Sequence, residues 1–153
     1  MSEEKEKVSL LNVDWFLQDL IRAAEVTGET AGITLNVKGV LISGNLISVF
    51  EYFRLAGELL EKVRKEAGRL SEEGEGGFFV ISKEMKEIRE KGEASQIGFI
   101  HLKDAKIFMN PGCPLPTEST VLWRGILDSV DGFIWGTMSA EKSKGDGQAI
   151  IGR

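Results

Sequence analysis

Alternating apolar and polar residues interrupted by glycine are the feature that most constrains the fold of this chain. Ile33, Leu35 and Val37 share one parity, Gly39 interrupts the alternation, and a second break follows at Gly44. A period of two is typical of a strand with one buried face, and glycine allows the turns and close backbone approaches that connect or bend strands. The pattern predicts a hairpin or a sharply bent strand pair in this region.

Three later segments carry further strand signals. FIHLKDAKIF alternates by parity and resets at Asp104. Residues 120–130 and 131–139 follow, and they meet at Asp131-Gly132, a dipeptide typical of hairpin turns. We therefore expect the last two strands to pair with each other, so that Trp123 and Trp135 lie on paired segments.

Two other segments repeat apolar residues at helical spacing. The first begins after Asn12 or Asp14, either of which can cap a helix, and it ends at Gly28. The second begins after Ser48, which together with Glu51 has the spacing of a capping box. We predict an amphipathic N-terminal helix and a long helix inserted after the first strand pair.

These elements indicate one α+β domain, which a length of 153 residues allows. We place the domain at residues 9–139, with a variable polar, glycine-rich segment near 70–95. The charged ends, residues 1–8 and 140–153, are predicted to be flexible tails.

Charge and cysteine content limit the cellular compartment in which the protein is expected and the classes of partner that it can bind. The formal net charge is -5, whereas binding nucleic acid through a general electrostatic field needs clustered Lys and Arg. Cys113 is the only cysteine, so no intramolecular disulfide can form. No apolar run has the length of a transmembrane segment, and the charged N-terminus lacks the apolar stretch of a signal peptide. We expect a cytoplasmic protein.

The residues best suited to chemistry have no matching partners in the sequence. His101 is the only histidine and lies inside a strand, and Cys113 has no evident base beside it. Asp128 and Asp131 are better explained by turn chemistry than by a metal or acid/base pair. We predict no catalytic residue, no metal site and no cofactor. An enzyme would need His101, Cys113 and a carboxylate to converge in one pocket.

Large aromatic residues near the C-terminus offer a different kind of site. Most such residues are buried in a core, but an exposed tryptophan beside an arginine is typical of a protein-contact hot spot. The candidate protein-contact residues are Trp123, Arg124, Phe133 and Trp135.

The order of LNVKGVLISGNLIS, EYF, FIHLKDAKI and WRGILDSVDGFIWG resembles the gas vesicle accessory proteins of the U type. The resemblance covers most of the chain apart from its ends and residues 70–95. It implies a non-enzymatic accessory role in vesicle assembly or organisation, in the cytoplasm at the gas vesicle. The many aromatic residues, the missing catalytic set and the net negative charge lead us to the hypothesis that the domain acts by protein-protein interaction. The expected partners are vesicle shell protein or other accessory proteins, together with self-association.

The V-x-G-x4-G-x-L spacing of residues 37–46, with the later Arg124-Gly125, is similar to Sm-like small barrels. This likeness favours a small, strongly bent antiparallel sheet or an Sm-like partial barrel, packed by the N-terminal helix and the long inserted helix. The RNA-contacting Asp and Asn of that fold are absent after the glycines, so nucleic acid is not an expected partner.

Two alternative functions remain open at this stage. The first is an Sm-like nucleic-acid-binding module, which needs its basic residues on one face: Lys38, Arg54, Lys103, Lys106 and Arg124. The second is a generic homo-oligomeric scaffold.

Overall fold

A computed structural model describes most of the core of the chain. The described residues are 13–68, 81, 83–84, 86–87, 97–110, 113–140 and 149–151. The predicted N-terminal tail and most of the predicted variable segment near 70–95 therefore lie outside the described residues.

Helix α1, Trp15–Thr27, begins where the sequence places a cap. The Asp14 carboxylate accepts hydrogen bonds from the backbone N–H groups of Phe16 at 2.8 Å and Leu17 at 3.4 Å, and Gly28 ends the helix. Such a side chain satisfies N–H groups that have no partner within the helix. The buried apolar residues of α1 are Leu17, Ile21 and Ala24. The amphipathic N-terminal helix is confirmed.

Strands β1, Ala31–Val37, and β2, Val40–Ile47, form the predicted hairpin. Gly39 lies in the connecting turn with a φ of 88°, a conformation that L side chains resist. Strand β2 does not break at Gly44, which lies opposite a bulge in the pairing with the next strand. A Cβ at Gly44 would lie 2.8 Å from the Lys103 carbonyl oxygen, so a close backbone approach explains this glycine.

Helix α2, Val49–Glu66, is the predicted long helix. Ser48 Oγ accepts a hydrogen bond from the Glu51 backbone N–H at 3.1 Å, and a Glu25 carboxylate oxygen of α1 accepts one from the Val49 N–H at 2.7 Å. Both helix starts are therefore fixed by side chains, and the second is tied to the first helix.

The second half of the chain supplies four further strands of the main sheet. They are β3, Phe99–Asn110; β4, Cys113–Leu115; β5, Val121–Ile126; and β6, Val130–Trp135. A short 3-10 helix, Leu127–Ser129, links β5 to β6. The predicted interruption of the strand alternation at Asp104 is confirmed. This residue has a φ of 51° and lies at a shift in the pairing register of β3.

The main sheet has six antiparallel strands in the order β4-β3-β2-β1-β6, and β5 also pairs with β3. A separate two-stranded sheet pairs β7, Met138–Ala140, with β8, Ala149–Ile151. The start of β7 is held against the main sheet because Ser43 Oγ accepts a hydrogen bond from the Met138 N–H at 2.6 Å. Thr34 Oγ1 lies 3.0 Å from Ser43 Oγ and 2.9 Å from the Gly136 carbonyl oxygen.

The predicted hairpin between the last two large strands is wrong. Strand β5 pairs with β3, where Trp123 lies opposite Leu102, and β6 pairs with β1, where Trp135 lies opposite Ile33. Asp131-Gly132 lies within β6 and makes no turn. Each strand instead extends the larger sheet. The two Asp131 carboxylate oxygens accept hydrogen bonds from the backbone N–H and the Nζ of Lys38, both at 3.0 Å.

The α+β class, with an antiparallel sheet packed by two helices, is confirmed. The predicted strongly bent sheet or Sm-like partial barrel is wrong, because the sheet is neither closed nor strongly curled. Among the described residues, β6 at one edge forms no ladder with β4 or β5 at the other. The two glycines that suggested a barrel have local roles, one in a turn and one in a close backbone contact.

Candidate protein-contact surface

Four aromatic rings from α1 and β6 form one connected cluster. The Phe16 ring centroid lies 5.7 Å from that of Trp15, 6.0 Å from that of Phe133 and 6.2 Å from that of Trp135. Phe133 and Trp135 are themselves 6.0 Å apart. We call these four residues the aromatic patch. Their spacing is that of favourable edge-to-face and tilted ring pairs.

The aromatic patch is exposed, although its residue types are among those that gain most from burial. The exposed fractions are 71% for Trp15, 55% for Trp135 and 40% for Phe16, while Phe133 is half-buried against the core. The cap at Asp14 places Trp15 and Phe16 in the first turn of α1, beyond the buried stripe of that helix. Contiguous exposed apolar surface of this kind marks interaction sites on soluble proteins.

An apolar cavity opens beside Trp135, between α1 and the sheet. It has a volume of about 180 Å³, and Thr27, Glu29 and Thr30 are the polar residues of its lining. Its apolar lining comes from Leu20, Ala23, Ala24, Ala31, Ile33, Leu46 and Trp135. The cavity has room for one aliphatic side chain, which the neighbouring ring would cover.

The surface around the aromatic patch is acidic. Residues 14–29 carry four carboxylates and one guanidinium, a net charge of -3. The guanidinium, Arg22, pairs with Asp19 at 2.9 Å. By contrast, α2 carries four acidic and four basic residues between Val49 and Glu66. Residues 14–29 therefore carry more negative charge than α2, and one of their carboxylates, Glu25, accepts a hydrogen bond from the Val49 N–H of α2.

Strand β6 also presents a free sheet edge next to the aromatic patch. Within the part of the chain that the structure describes, β6 pairs only with β1. The backbone groups on the outer side of an edge strand are available to pair with another chain. Rings and backbone groups suited to protein contact thus occur together.

Of the four residues predicted for protein contact, Trp123 and Arg124 lie on β5, away from the aromatic patch. The half-buried Trp123 packs against the core and lies directly over Gly125, where a Cβ would overlap the indole. The Arg124 guanidinium carbon lies 3.9 Å from the Phe99 ring centroid and 5.9 Å from that of Phe53. The structure brings Phe133 and Trp135 together and leaves the other two at the opposite edge of the sheet.

His101 is a buried residue beneath Arg124. Its Nε2 accepts a hydrogen bond from Arg124 Nε at 3.1 Å, and its ring centroid lies 4.8 Å from that of Tyr52 on α2. Burial, with a smaller contribution from the Arg124 charge, lowers the pKa of His101 from 6.5 to about 4. The imidazole is therefore neutral at physiological pH and helps to hold α2 against β3 and β5.

The three groups that an enzyme would need do not converge. His101 pairs with Arg124 near the start of β3, whereas Cys113 pairs with Asn110 at the end of the same strand. Among the residues with described positions, no three or more His, Cys, Asp or Glu side chains form a group that could hold a metal ion. Within the described residues, His101 and Cys113 therefore share no pocket.

The basic residues required for a nucleic-acid module are partly neutralised. Lys38 pairs with Asp131 at 3.0 Å, and the hydrogen bond from Lys38 lowers the pKa of that carboxyl. Arg54 pairs with Glu51 at 2.8 Å and also with Glu58, and its hydrogen bond lowers the pKa of Glu51. These pairs reduce the positive field that phosphate binding would need.

A second apolar surface lies along α2. Leu59 and Val63 are 56% and 53% exposed and line a groove of about 960 Å³. The polar lining of this groove includes both Lys103 and Asp104, so its charges are balanced. The α2 groove therefore lacks the charge preference of the aromatic patch.

A family model described as "Gas vesicle protein GvpU-like" matches residues 14–138, which include helices α1 and α2 and all six strands of the main sheet. The chain belongs to the GvpU-like family of gas vesicle proteins. The resemblance found in the strand motifs is thereby confirmed. A search of curated proteins and a search of solved structures found no significant match.

Two further observations concern the helices of this GvpU-like chain. No helix among the described residues is long and apolar enough to cross a membrane. The sequence reasoning missed Trp15 and Phe16 as surface residues. For Trp15 a signal was present, because a residue two positions before Leu17 lies on another face of the helix.

Proposed function

We propose that this GvpU-like chain is a non-enzymatic accessory protein that acts in gas vesicle assembly or organisation by binding other proteins in the cytoplasm. Its partner in this proposal is vesicle shell protein or another accessory protein. The observation that supports it best is the exposed aromatic patch beside the free edge of β6.

The physical basis is the gain from covering this surface. Tryptophan dominates the energetics of many protein interfaces, because it buries a large area while losing little side-chain entropy. A free strand edge adds backbone hydrogen bonds that fix the orientation of a partner. Trp135 lies on that edge strand, so one partner segment can contact both features.

Within this proposal, Phe133 and Trp135 are the central contact residues, and Trp15 and Phe16 extend them. Trp123 and Arg124 were also predicted for protein contact, but they make extensive contacts within the chain. We assign these two residues a supporting role at the opposite edge of the sheet.

Cosedimentation with intact gas vesicles tests the proposed function. The purified protein is mixed with vesicles over a range of salt concentrations, and its bound fraction is measured alongside pull-down against shell and accessory proteins. We expect binding that persists at high salt, since apolar contacts are less sensitive to screening than surface ion pairs. Self-association without binding to any vesicle protein would instead favour a generic homo-oligomeric scaffold. Absence of both would contradict the proposal.

A further inference from the structure

We infer that the aromatic patch binds a basic amphipathic segment of a partner protein, in which Lys or Arg residues flank an aliphatic side chain. This inference rests on the proposed function and adds the chemistry of the partner. The cationic groups contact the exposed tryptophan rings and Glu29, and the aliphatic side chain enters the cavity beside Trp135.

The first support is the charge around the surface. The net charge of -3 over residues 14–29 favours a cationic partner and disfavours an acidic one. Glu29 lies at the cavity itself, so a Lys or Arg next to the inserted aliphatic residue is within reach of a carboxylate.

The second support comes from the rings. The face of a tryptophan carries negative charge in its π system and attracts Lys and Arg. Trp15 and Trp135 are both more than half exposed, and their ring centroids lie 5.7 Å and 6.2 Å from that of Phe16. Carboxylates and ring faces therefore select the same sign of charge in the partner.

The third support is the shape of the cavity. An apolar space of about 180 Å³ accommodates one aliphatic side chain but not an extended apolar surface such as a lipid bilayer face. The partner segment consequently combines basic residues with at least one Leu, Ile or Val. A purely basic segment would leave the cavity empty.

Short synthetic peptides test this specificity with the full-length protein. The probes are a fluorescein-labelled amphipathic Leu/Lys peptide, a Leu/Glu peptide of the same pattern, and a Gly/Lys peptide of the same positive charge without aliphatic residues. Binding is measured by fluorescence anisotropy at low and high salt. We expect the Leu/Lys peptide to bind at least about tenfold more tightly than either of the other two.

Paired variants determine where on the protein the peptide binds. Trp135→Ala is compared with Val63→Ala, which removes an exposed apolar side chain from α2. Glu29→Lys is compared with Glu66→Lys, which makes the same change in charge at the end of α2. We expect about tenfold weaker binding of the Leu/Lys peptide for Trp135→Ala, several-fold weaker binding for Glu29→Lys, and little change for the two controls. Circular dichroism and thermal melting establish that each variant is folded.

The outcomes separate this inference from the proposed function. Equal binding of the Leu/Glu peptide overturns the charge preference, and equal binding of the Gly/Lys peptide overturns the use of the cavity. If Trp135→Ala changes the oligomeric state while no peptide binds, a second copy of the chain occupies the surface and the inference fails. If no peptide binds but vesicles still do, the inference fails and the proposed function stands.

Discussion

Gly44→Ala is expected to lower the free energy of unfolding by about 3 kcal/mol, as overpacking a strand interior does when the backbone must move. The added Cβ would lie 2.8 Å from the Lys103 carbonyl oxygen and 3.1 Å from the Ala105 Cα. No flexible side chain can yield, because the closest atoms belong to the β3 backbone. Since β2 lies between β1 and β3, it cannot shift without loss of hydrogen bonds on one side.

Urea denaturation measures this effect, and Gly132→Ala is the matched control. Gly132 also lies in a strand, but a Cβ there meets no heavy atom within 4 Å. We expect the control to change stability by less than about 0.5 kcal/mol. Similar losses in both variants would show that the contact between β2 and β3 at the bulge is not as tight as its geometry indicates.

Acid is expected to destabilise the fold through His101 by about 3 kcal/mol between neutral pH and pH 4. The pKa of this residue is about 4 in the folded protein, below its ordinary value of 6.5. The folded state therefore favours the neutral imidazole. Its contribution to stability is present above pH 6.5 and is lost progressively as the pH falls towards 4.

The free energy of unfolding, measured by urea denaturation at several pH values, is compared with that of His101→Gln. Glutamine keeps a hydrogen-bond acceptor for Arg124 but does not titrate. We expect the variant to lose much less stability between pH 6.5 and 4. The lowered pKa values of Glu51 and Asp131 contribute to acid sensitivity in both proteins, so the difference isolates His101. Equal slopes in the two proteins would contradict the assignment of a neutral, buried imidazole.

Features fixed by neighbouring residues could be predicted from the sequence. Asp14 and Ser48 cap their helices through backbone N–H groups two or three residues away. The turn at Gly39 and the reset at Asp104 likewise depend on local backbone conformation. Such interactions need no knowledge of the remaining fold, which explains why these predictions are confirmed.

The choice of strand partners could not be predicted in the same way. Asp131-Gly132 has the composition of a turn, yet Asp131 binds Lys38, which is 93 residues away in the chain. Pairing of β5 with β3 and of β6 with β1 depends on long-range packing that a local dipeptide does not encode. The predicted contact residues Trp123 and Trp135 consequently lie at opposite edges of the sheet.

The exposure of the two strand tryptophans could not be predicted from local sequence either. Trp123 and Trp135 have similar sequence surroundings, but the first packs over Gly125 against the core and the second is 55% exposed. The aromatic patch arises only when the first turn of α1 meets β6. A surface built from segments more than 100 residues apart emerges from the fold rather than from any single motif.

Vesicle binding by the double variant Trp15→Ala/Trp135→Ala is the most direct test of the proposed contact surface. Its matched control is Leu59→Ala/Val63→Ala, which removes two exposed apolar side chains from α2. Cosedimentation with intact gas vesicles is measured for both variants and for the unaltered protein, with folding checked by circular dichroism. We predict that the tryptophan variant loses at least about tenfold in vesicle affinity while the control binds normally. Normal binding by the tryptophan variant, or loss of binding only in the α2 control, would contradict the account.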